Sequence, residues 1–317
     1  MPALGYALSS EEHSPSALVE NARRAEEVGF TFALISDHFH PWVDAQGHSP
    51  FVWSVIGGIA QATETLRLGT GVTCPTMRTH PAIIAQAAAT SAAMMPGRFF
   101  LGVGTGENLN EHILGDHWPA PDERLEMLEE AIEVIRLLWQ GGYQTHRGQH
   151  YTVEKARLYT LPDELPPIAV AAAAPLAAEL AGRVGDAFVG VAPEQEIVDA
   201  FREAGGGDKP RYGQLTVCWA ASEAEAKQTA YEIWPTAAIK GDLMQELPLP
   251  QHFEQAAQMV SPDDVAEMVV CGPDPERYLE KVREYEQAGF DHVYLHQVGS
   301  DQEGFFRFFE EELAPKL

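Results

Sequence analysis

The chain has 317 residues, 45% of them hydrophobic, and carries 47 Asp and Glu against 21 Lys and Arg, a formal net charge of −26. This acidity repels phosphate backbones and anionic lipid surfaces, so we expect neither nucleic acid nor membranes as partners. The cysteines Cys74, Cys218 and Cys271 are odd in number and far apart, which predicts no disulfide framework and fits a soluble protein of the reducing cytoplasm.

Eight short apolar runs recur along the chain, and each precedes a loop and a segment with helical periodicity. The first run, ALGYAL (3–8), leads to SPSALVENARRAEEVG, where Ser14 or Ser16 can cap a helix that Gly29 ends. The later runs are TFALIS (31–36), LRLGTGV (66–72), RFFLGVG (98–104), PIAVAA (167–172), DAFVGV (186–191), YGQLTVCWAA (212–221) and FDHVYLHQ (290–297). Eight such units predict an α/β protein with a closed (β/α)₈ TIM barrel rather than an open doubly wound sheet.

Two stretches interrupt this repeat. YQTHRGQHYTVEKARLYTLPDEL, after the fourth helix, predicts a short β excursion, because Gly148 lies between Thr145 and the alternating run HYTV. The stretch from Ile233 to Val270, between strands seven and eight, is interrupted by prolines and predicts a mostly helical insertion. No polar linker divides the chain, so we expect a single barrel domain over residues 1–317.

Active sites of such barrels lie at the carboxyl ends of the strands, so the residues that follow each apolar run are the candidates for chemistry. A histidine and a glutamate on separate strand ends can face one another across the barrel mouth as a base and an acid. The candidates are Asp37, His38, His40 and Trp42 after strand two; Thr73, Cys74, Pro75 and Thr76 after strand three; Thr105, Gly106, Glu107, Asn108 and Asn110 after strand four; Ala172, Ala173 and Ala174 after strand five; and His296 and Gln297 after strand eight.

The motif DHFH contains two histidines one residue apart, a spacing that metal-dependent barrel hydrolases also use. In those enzymes the motif follows the first strand and needs further histidine ligands. Here it follows the second strand, and His296 is the single histidine at a later strand end, so we expect no metal. In an extended segment His38 and His40 point the same way, which leaves two alternatives: one acts while the other packs, or both are solvated loop residues.

Two further stretches carry weaker signals. In GVGTGENLNEH the glycines Gly102, Gly104 and Gly106 permit close backbone approach just before Glu107, although a GxGxG pattern alone has little specificity. The alanine-rich stretch AVAAAAPLAAELAGRVGD places small residues before a helix N-terminus, where exposed N–H groups can hold a phosphate. Tight packing of a helix on a strand explains those alanines equally well.

Taken together, SDHFHPW, TGVTCPT, PAIIAQA, GVGTGENLNE and AGRVGDAFV resemble the luciferase-like superfamily of (β/α)₈ oxidoreductases, specifically the branch that uses the deazaflavin coenzyme F420 and contains glucose-6-phosphate dehydrogenase. The resemblance runs nearly end to end. It implies that His38 is the catalytic base, that Glu107 lies beside the deazaflavin ring, that Trp42 lies near the substrate, and that the protein is a homodimer. A deazaflavin accepts hydride, so a base that takes the hydroxyl proton completes the chemistry.

The resemblance also locates the coenzyme. It implies a bulge with a non-proline cis peptide after strand three, and it places Asp37 in support of the coenzyme or of the histidine. Ala171 to Ala174 and the helix that follows strand five would help to hold the phosphate side of the coenzyme. The implied coenzyme-binding residues are Asp37, Gly71, Val72, Thr73, Thr76, Thr105, Gly106, Asn110, Ala171, Ala172, Ala173 and Ala174.

Sugar-phosphate members of this family resemble one another in carrying lysines after strand six and in the late insertion. Here those positions read Glu194, Glu196 and Gln255, and Arg277 alone remains of that set. With Trp42, Gln255 and Arg277 as substrate-binding residues, we therefore predict oxidation of a neutral hydroxyl compound, an unphosphorylated sugar at its anomeric carbon or a secondary alcohol. The alternatives are an F420-dependent glucose-6-phosphate dehydrogenase, an FMN-dependent luciferase-like monooxygenase and a non-catalytic barrel that binds deazaflavin.

Overall fold

The computed structural model describes residues 1–316 and contains a closed parallel barrel of eight strands. The barrel order is β1-β2-β3-β4-β7-β8-β9-β11, and pairing of β11 with β1 closes the ring. The predicted (β/α)₈ barrel is confirmed, with all eight predicted strands in place. The strands are β1 (Ala3–Leu8), β2 (Phe32–Ile35), β3 (Arg67–Thr70), β4 (Phe99–Val103), β5 (Gln144–Arg147), β6 (Thr152–Ala156), β7 (Ile168–Ala171), β8 (Ala187–Gly190), β9 (Arg211–Cys218), β10 (Val270–Cys271) and β11 (His292–Gln297).

Helices surround the barrel and follow its strands. The first begins as the sequence predicts, since the Ser14 side chain accepts a hydrogen bond from the Ala17 N–H and Gly29 follows the helix. The α-helices are α1 (Pro15–Glu27), α2 (Val52–Ala62), α3 (Pro81–Met94), α4 (Asn108–Glu111), α5 (Pro121–Trp139), α6 (Pro175–Val184), α7 (Gln195–Phe201), α8 (Glu223–Ile233), α9 (Leu243–Glu246), α10 (Pro250–Ala257), α11 (Pro262–Met268), α12 (Pro275–Gln287) and α13 (Gln302–Phe308). Within residues 1–316, no helix is long and apolar enough to cross a membrane.

Alternation along the strands divides the core in two. In β2, for example, Phe32 and Leu34 point into the barrel, whereas Ala33 and Ile35 pack against the helices outside. Val72 and Ala171 lie half-buried against the interior cluster, close to the carboxyl ends of β3 and β7. The interior cluster consists of Ala7, Phe32, Leu34, Phe100, Ala169, Ala187, Val189, Tyr212 and Tyr294. The filled interior leaves the carboxyl mouth as the place for a site.

Both predicted insertions are present. The antiparallel hairpin β5–β6 follows α5, and the helices α9, α10 and α11 lie between β9 and β11. The sequence did not predict β10, a two-residue strand that pairs with the outer end of β9. The insertion reaches back over the barrel mouth, because its buried Phe253 and half-buried Met244 and Leu247 pack with Trp42 of the loop after β2.

Candidate active site

His38 lies at the carboxyl end of β2 and faces a buried glutamate from the end of β1. Its Nε2 is 3.3 Å from Glu11 Oε1, and the side chains are 10% and 3% exposed. The other oxygen of Glu11 accepts hydrogen bonds from the hydroxyls of Ser36 at 2.6 Å and Ser9 at 3.1 Å. Burial favours a higher pKa for Glu11, but the adjacent His38 and the Ser36 hydrogen bond outweigh it and lower that pKa below its ordinary value. An ionised carboxylate therefore stands against the imidazole.

Both ring nitrogens of His38 face hydrogen-bond acceptors. Nδ1 lies 3.2 Å from the His40 carbonyl oxygen, and Nε2 lies 3.3 Å from the Glu11 carboxylate. Each nitrogen can therefore donate a hydrogen bond when it carries a proton. The Glu11 carboxylate stabilises a proton on Nε2. The pair therefore has the two groups of a general base, a histidine that takes the proton and a carboxylate that stabilises the resulting charge.

His40 has a different environment. Its Nδ1 lies 2.8 Å from the Leu109 carbonyl oxygen, and its ring stacks on His112 at 5.7 Å between centroids. The structure thus favours the alternative in which one histidine of DHFH reaches the site and the other packs. Among residues 1–316 no three His, Cys, Asp or Glu side chains are arranged to hold a metal ion.

Asn110 connects the histidine loop to Glu107, the acid predicted from the sequence. The Asn110 Oδ1 accepts hydrogen bonds from the N–H groups of Phe39 at 2.8 Å and His40 at 3.1 Å, and Nδ2 donates to Glu107 Oε2 at 3.3 Å. Asn110 is 1% exposed, whereas Glu107 is half-buried at the end of β4. Both polar atoms of Asn110 are thus bonded to protein groups. Asn110, which was predicted to bind the coenzyme, thus fixes the loop of His38 relative to the side chain of Glu107.

Asp37, adjacent to the base, is fixed by two neighbours. Its Oδ2 accepts a hydrogen bond from the Thr73 hydroxyl at 2.8 Å, and its Oδ1 and carbonyl oxygen each lie 3.1 Å from Arg78 Nη2. Arg78 also donates its backbone N–H to Glu111 Oε2 at 2.8 Å, and its Nε lies 3.5 Å from Glu111 Oε1. These four groups form a buried network behind the His38 loop.

Glu111 is the carboxyl group of this network most affected by burial. Burial raises the pKa of Glu111 to about 7, although Arg78 acts in the opposite direction. The pKa of Arg78 is raised, since Asp37 and Glu111 together outweigh the effect of its own burial. The two directions agree with the geometry, because the guanidinium lies closer to Asp37 than to Glu111 and offsets the burial of Glu111 only in part.

The end of β3 and the end of β4 together form a cradle with an apolar floor. The peptide bond between Gly71 and Val72 is cis, as expected from the sequence resemblance. Gly106 has φ +79°, and a Cβ there would lie 2.6 Å from Cys74 Sγ, so this turn requires glycine. The Thr76 hydroxyl is hydrogen-bonded to the same sulfur at 3.0 Å. Thr105, the residue before Gly106, is half-buried. Val72 and Ala171 lie half-buried against the top of the barrel core, and such apolar side chains can pack against a planar ring.

The N-terminus of α6 lies beyond this floor and fits the phosphate side of a coenzyme. No side chain caps the helix, and Ala173 and Ala174 are exposed in front of it, so its first N–H groups are open to an anion. Ala172 is buried, and its N–H donates to the Val189 carbonyl oxygen at 3.0 Å. The residues present therefore fit a deazaflavin coenzyme at both its ring and its phosphate ends.

Trp42 forms the apolar wall on the other side of the base. Its ring lies edge-on to His38 at 5.0 Å and to Phe253 of α10 at 5.3 Å. The insertion that carries this wall is fastened by Arg124 of α5, which donates hydrogen bonds to Glu246 at 3.1 Å and Gln245 at 2.9 Å. Around Trp42 the wall consists of Val43, Leu109, Trp234, Ile239, Met244, Leu247 and Phe253.

Within residues 1–316, two residues predicted to bind substrate are not joined to this group by a hydrogen bond or an ion pair. Gln255 is exposed and lies two positions from Phe253, about 200° around the helix, so it faces away from Trp42. Arg277 donates to the Cys271 carbonyl oxygen at 2.8 Å and pairs with Glu223 at 3.4 Å. Position along the chain alone gave no information on where these side chains point.

The sequence reasoning missed several polar residues of the site. Glu11 and the next residue, Glu12, follow β1, and Glu12 pairs with His296 at 3.1 Å with both side chains 3% exposed. The rule that selected His38 and Glu107, polar residues after a strand, would have found both glutamates had it been applied to the first strand. Arg78 and Glu111 carry no comparable signal, because neither directly follows a strand, although Glu111 lies within the stretch GVGTGENLNEH and ends α4.

Comparison with known proteins agrees with this architecture. A family model described as luciferase-like monooxygenase matches residues 2–292. The F420-dependent glucose-6-phosphate dehydrogenase of Nakamurella multipartita is 35% identical over 324 residues, covering 99% of this chain and 96% of that protein. The enzyme of that name from Segniliparus rotundus is 36% identical over 332 residues, covering 99% and 97%.

A solved structure gives the same result. An F420-dependent secondary alcohol dehydrogenase in complex with an F420-acetone adduct has a TM-score of 0.91 and 31% sequence identity, covering 98% of this chain and 97% of that one. The resemblance recognised in the sequence is confirmed. The chain belongs to the luciferase-like monooxygenase family.

Proposed function

We propose that this protein is an F420-dependent oxidoreductase that acts on CH–OH groups. The observation that carries the proposal is the His38–Glu11 pair, a base with a buried carboxylate 3.3 Å away beside an apolar floor that fits a planar ring. Similarity over the full length to enzymes named as F420-dependent supports the choice of coenzyme. The two alternatives, an FMN-dependent monooxygenase and a non-catalytic barrel that binds deazaflavin, are not favoured, because neither needs a base that takes the proton of a substrate hydroxyl.

The residues have distinct roles in this reaction. F420, when bound, supplies the hydride-accepting carbon. His38 Nε2 takes the proton as the hydroxyl O–H bond breaks, and Glu11 stabilises the imidazolium that forms. Trp42 and Phe253 exclude water from one side of the carbinol carbon. Glu107, tied to the His38 loop through Asn110, offers a hydrogen-bonding group on the side of the ring.

The substrate in this proposal is a neutral hydroxyl compound, an unphosphorylated sugar or a secondary alcohol. The wall next to His38 is made of Trp42, Phe253 and the insertion's apolar side chains, which hold no charge for a phosphate. After β8, Glu194 and Glu196 are exposed where a phosphate would meet like charge, and Arg277 is bonded to Glu223. Each charge-assisted hydrogen bond that a phosphate lacks costs roughly 1.5–3 kcal/mol.

A direct comparison of substrates tests this. We expect purified enzyme with oxidised F420 to show kcat/KM for glucose or 2-propanol at least about tenfold above that for glucose 6-phosphate, because one missing charge-assisted bond is worth roughly that factor. Loss of the coenzyme's visible absorbance reports the rate. Omitting each substrate gives the control. A tenfold preference for glucose 6-phosphate would show instead that other basic residues form a phosphate site.

We further propose that the enzyme works in the cytoplasm as a homodimer. Three buried free cysteines are consistent with a reducing compartment. Phe51 is 62% exposed and Ile83 is 56% exposed at the starts of the adjacent helices α2 and α3, and a second copy would cover these apolar side chains. Light scattering should give twice the chain mass of 34.7 kDa. A mass of one chain in solution, or recovery of the protein outside the cytoplasmic fraction, would refute the respective proposal.

A further inference from the structure

The last two residues of α4 hold both strand ends that bear the acid–base groups. Asn110 accepts hydrogen bonds from the loop of His38 and donates to Glu107. Glu111, 1% exposed, bonds to Arg78, which in turn holds Asp37 next to His38. One short helix thus connects the ends of β2, β3 and β4. The roles considered so far assign nothing to Arg78 or Glu111.

Arg78 is suited to be the connecting group. A single nitrogen, Nη2, contacts both the carboxylate and the carbonyl oxygen of Asp37 at 3.1 Å, while Nε on the adjacent edge faces Glu111 at 3.5 Å. The guanidinium is planar and rigid, so the contact of Nε with Glu111 also fixes the direction in which Nη2 faces Asp37. Its side chain is 10% exposed, and water does not replace these partners readily. The position of Asp37 therefore depends on the contact between the Glu111 carboxyl group and Arg78.

We propose that Glu111 is a positioning residue whose ionised carboxylate holds Arg78 against Asp37 and thereby aligns His38 for proton transfer. The inference rests on the proposed oxidoreductase activity, but it concerns contacts that exist in the coenzyme-free protein. When Glu111 is protonated it still accepts the Arg78 backbone N–H, yet it no longer attracts the guanidinium by charge. Alignment of the base should then loosen.

Several charged or titratable groups lie around Glu111. They are Arg78, Asp37, Glu107, Cys74 and Tyr151, and His112 is next to it in the chain. Burial raises the pKa of the Cys74 thiol well above its usual value and also raises that of the Tyr151 hydroxyl, so both stay neutral between pH 5 and 9. Burial raises the pKa of Glu111 itself to about 7, inside that range.

The test is Glu111→Gln, which resembles the protonated carboxyl group in shape and charge. At pH 5.5 the variant and the wild type should have kcat values within about twofold. At pH 8.5, where only the wild type carries the charge, the variant should be about tenfold slower with KM nearly unchanged, since small misplacements of a catalytic group cost up to about 100-fold. A constant ratio across pH, or equal kcat at pH 8.5, would overturn the proposal.

A second measurement needs no coenzyme or substrate. A carboxyl group whose pKa is raised by folding contributes stability fully below its unfolded pKa, near 4.5, and that contribution is lost as pH rises to about 7. The melting temperature of Glu111→Gln relative to wild type should therefore increase from pH 5 to pH 8. Absence of that trend would mean that Glu111 does not titrate in the buried network. This holds even if the enzyme proves to use another substrate.

Glu130→Gln is the matched control. Glu130 also holds backbone N–H groups, those of Gln149, His150 and Tyr151, but it does so at the turn of the β5–β6 hairpin and accepts no hydrogen bond from Arg78 or from the His38 loop. These bonds and His146 lower the pKa of Glu130 despite its partial burial, so the group does not titrate between pH 5.5 and 8.5. This variant should melt at a lower temperature, and its kcat should equal that of the wild type at both pH 5.5 and pH 8.5. A fall in its kcat at pH 8.5 alone would make the Glu111 effect non-specific and overturn the proposal.

Discussion

His38→Ala should lower turnover about 10²–10⁴-fold, the range that a single general base contributes, while F420 binds with nearly unchanged affinity. The reason is positional. Nε2 of His38 faces the Glu11 carboxylate, and the ring also contacts Trp42 at the carboxyl mouth of the barrel. Steady-state kcat with a secondary alcohol and the coenzyme dissociation constant, measured by fluorescence, give the two readings.

His40→Ala is the matched control for that result. His40 belongs to the same DHFH motif, but it bonds to the Leu109 carbonyl oxygen and stacks on His112 rather than facing Glu11. We expect it to retain kcat within about tenfold, because its loss removes one hydrogen bond that supports the loop. If His38→Ala kept near-normal turnover, or if the two variants lost equal activity, His38 would not be the base.

Glu11→Gln should lower kcat about 10- to 100-fold, since the charge-assisted hydrogen bond to an imidazolium is worth roughly 1.5–3 kcal/mol. The amide keeps the shape of the carboxylate and its bonds to Ser36, but it cannot stabilise the positive charge that forms on His38. The pKa of Glu11 is lowered by His38 and Ser36 despite its burial, so the carboxylate is ionised throughout pH 5–9. The loss should therefore be the same across that range.

Glu12→Gln separates this effect from the loss of any buried ion pair. Glu12 is the next residue and is equally buried, but its partner is His296 on β11, and its second oxygen accepts the Gly299 N–H at 2.7 Å. We expect this variant to melt at a lower temperature with kcat changed less than about threefold. Equal losses of kcat in the two variants, or wild-type turnover in Glu11→Gln, would remove Glu11 from the mechanism.

The barrel could be predicted from the sequence because each of its strands has two recognisable features. Each strand is a short apolar run such as FALI, and each is followed by a segment with helical periodicity, as β1 is followed by α1. The strand β10 could not be predicted, because two residues show no alternation and their pairing with β9 depends on how the insertion folds back. An element could be predicted when its apolar pattern was long enough to recognise, and the burial of its residues did not help.

The candidate site was predictable in part. His38 and Glu107 stand at strand ends, where the fold itself indicates chemistry. Glu11 also follows a strand, but nothing else distinguishes it among the 47 acidic residues, and only the fold shows that its side chain is 3% exposed. Arg78 and Glu111 lie 33 positions apart, so their contact depends on how the loop after β3 meets α4, which no sequence pattern predicts.

In the proposed reaction, hydride passes from a hydroxyl carbon to F420 while His38 takes the hydroxyl proton. Hydride transfer can be followed in a single turnover of the wild-type enzyme with oxidised F420 and a secondary alcohol deuterated at its carbinol carbon. We expect deuterium in the reduced coenzyme, detected by NMR, and slower reduction than with the undeuterated alcohol. Reduced coenzyme without deuterium, or no reduction by any neutral hydroxyl compound, would rule out this reaction.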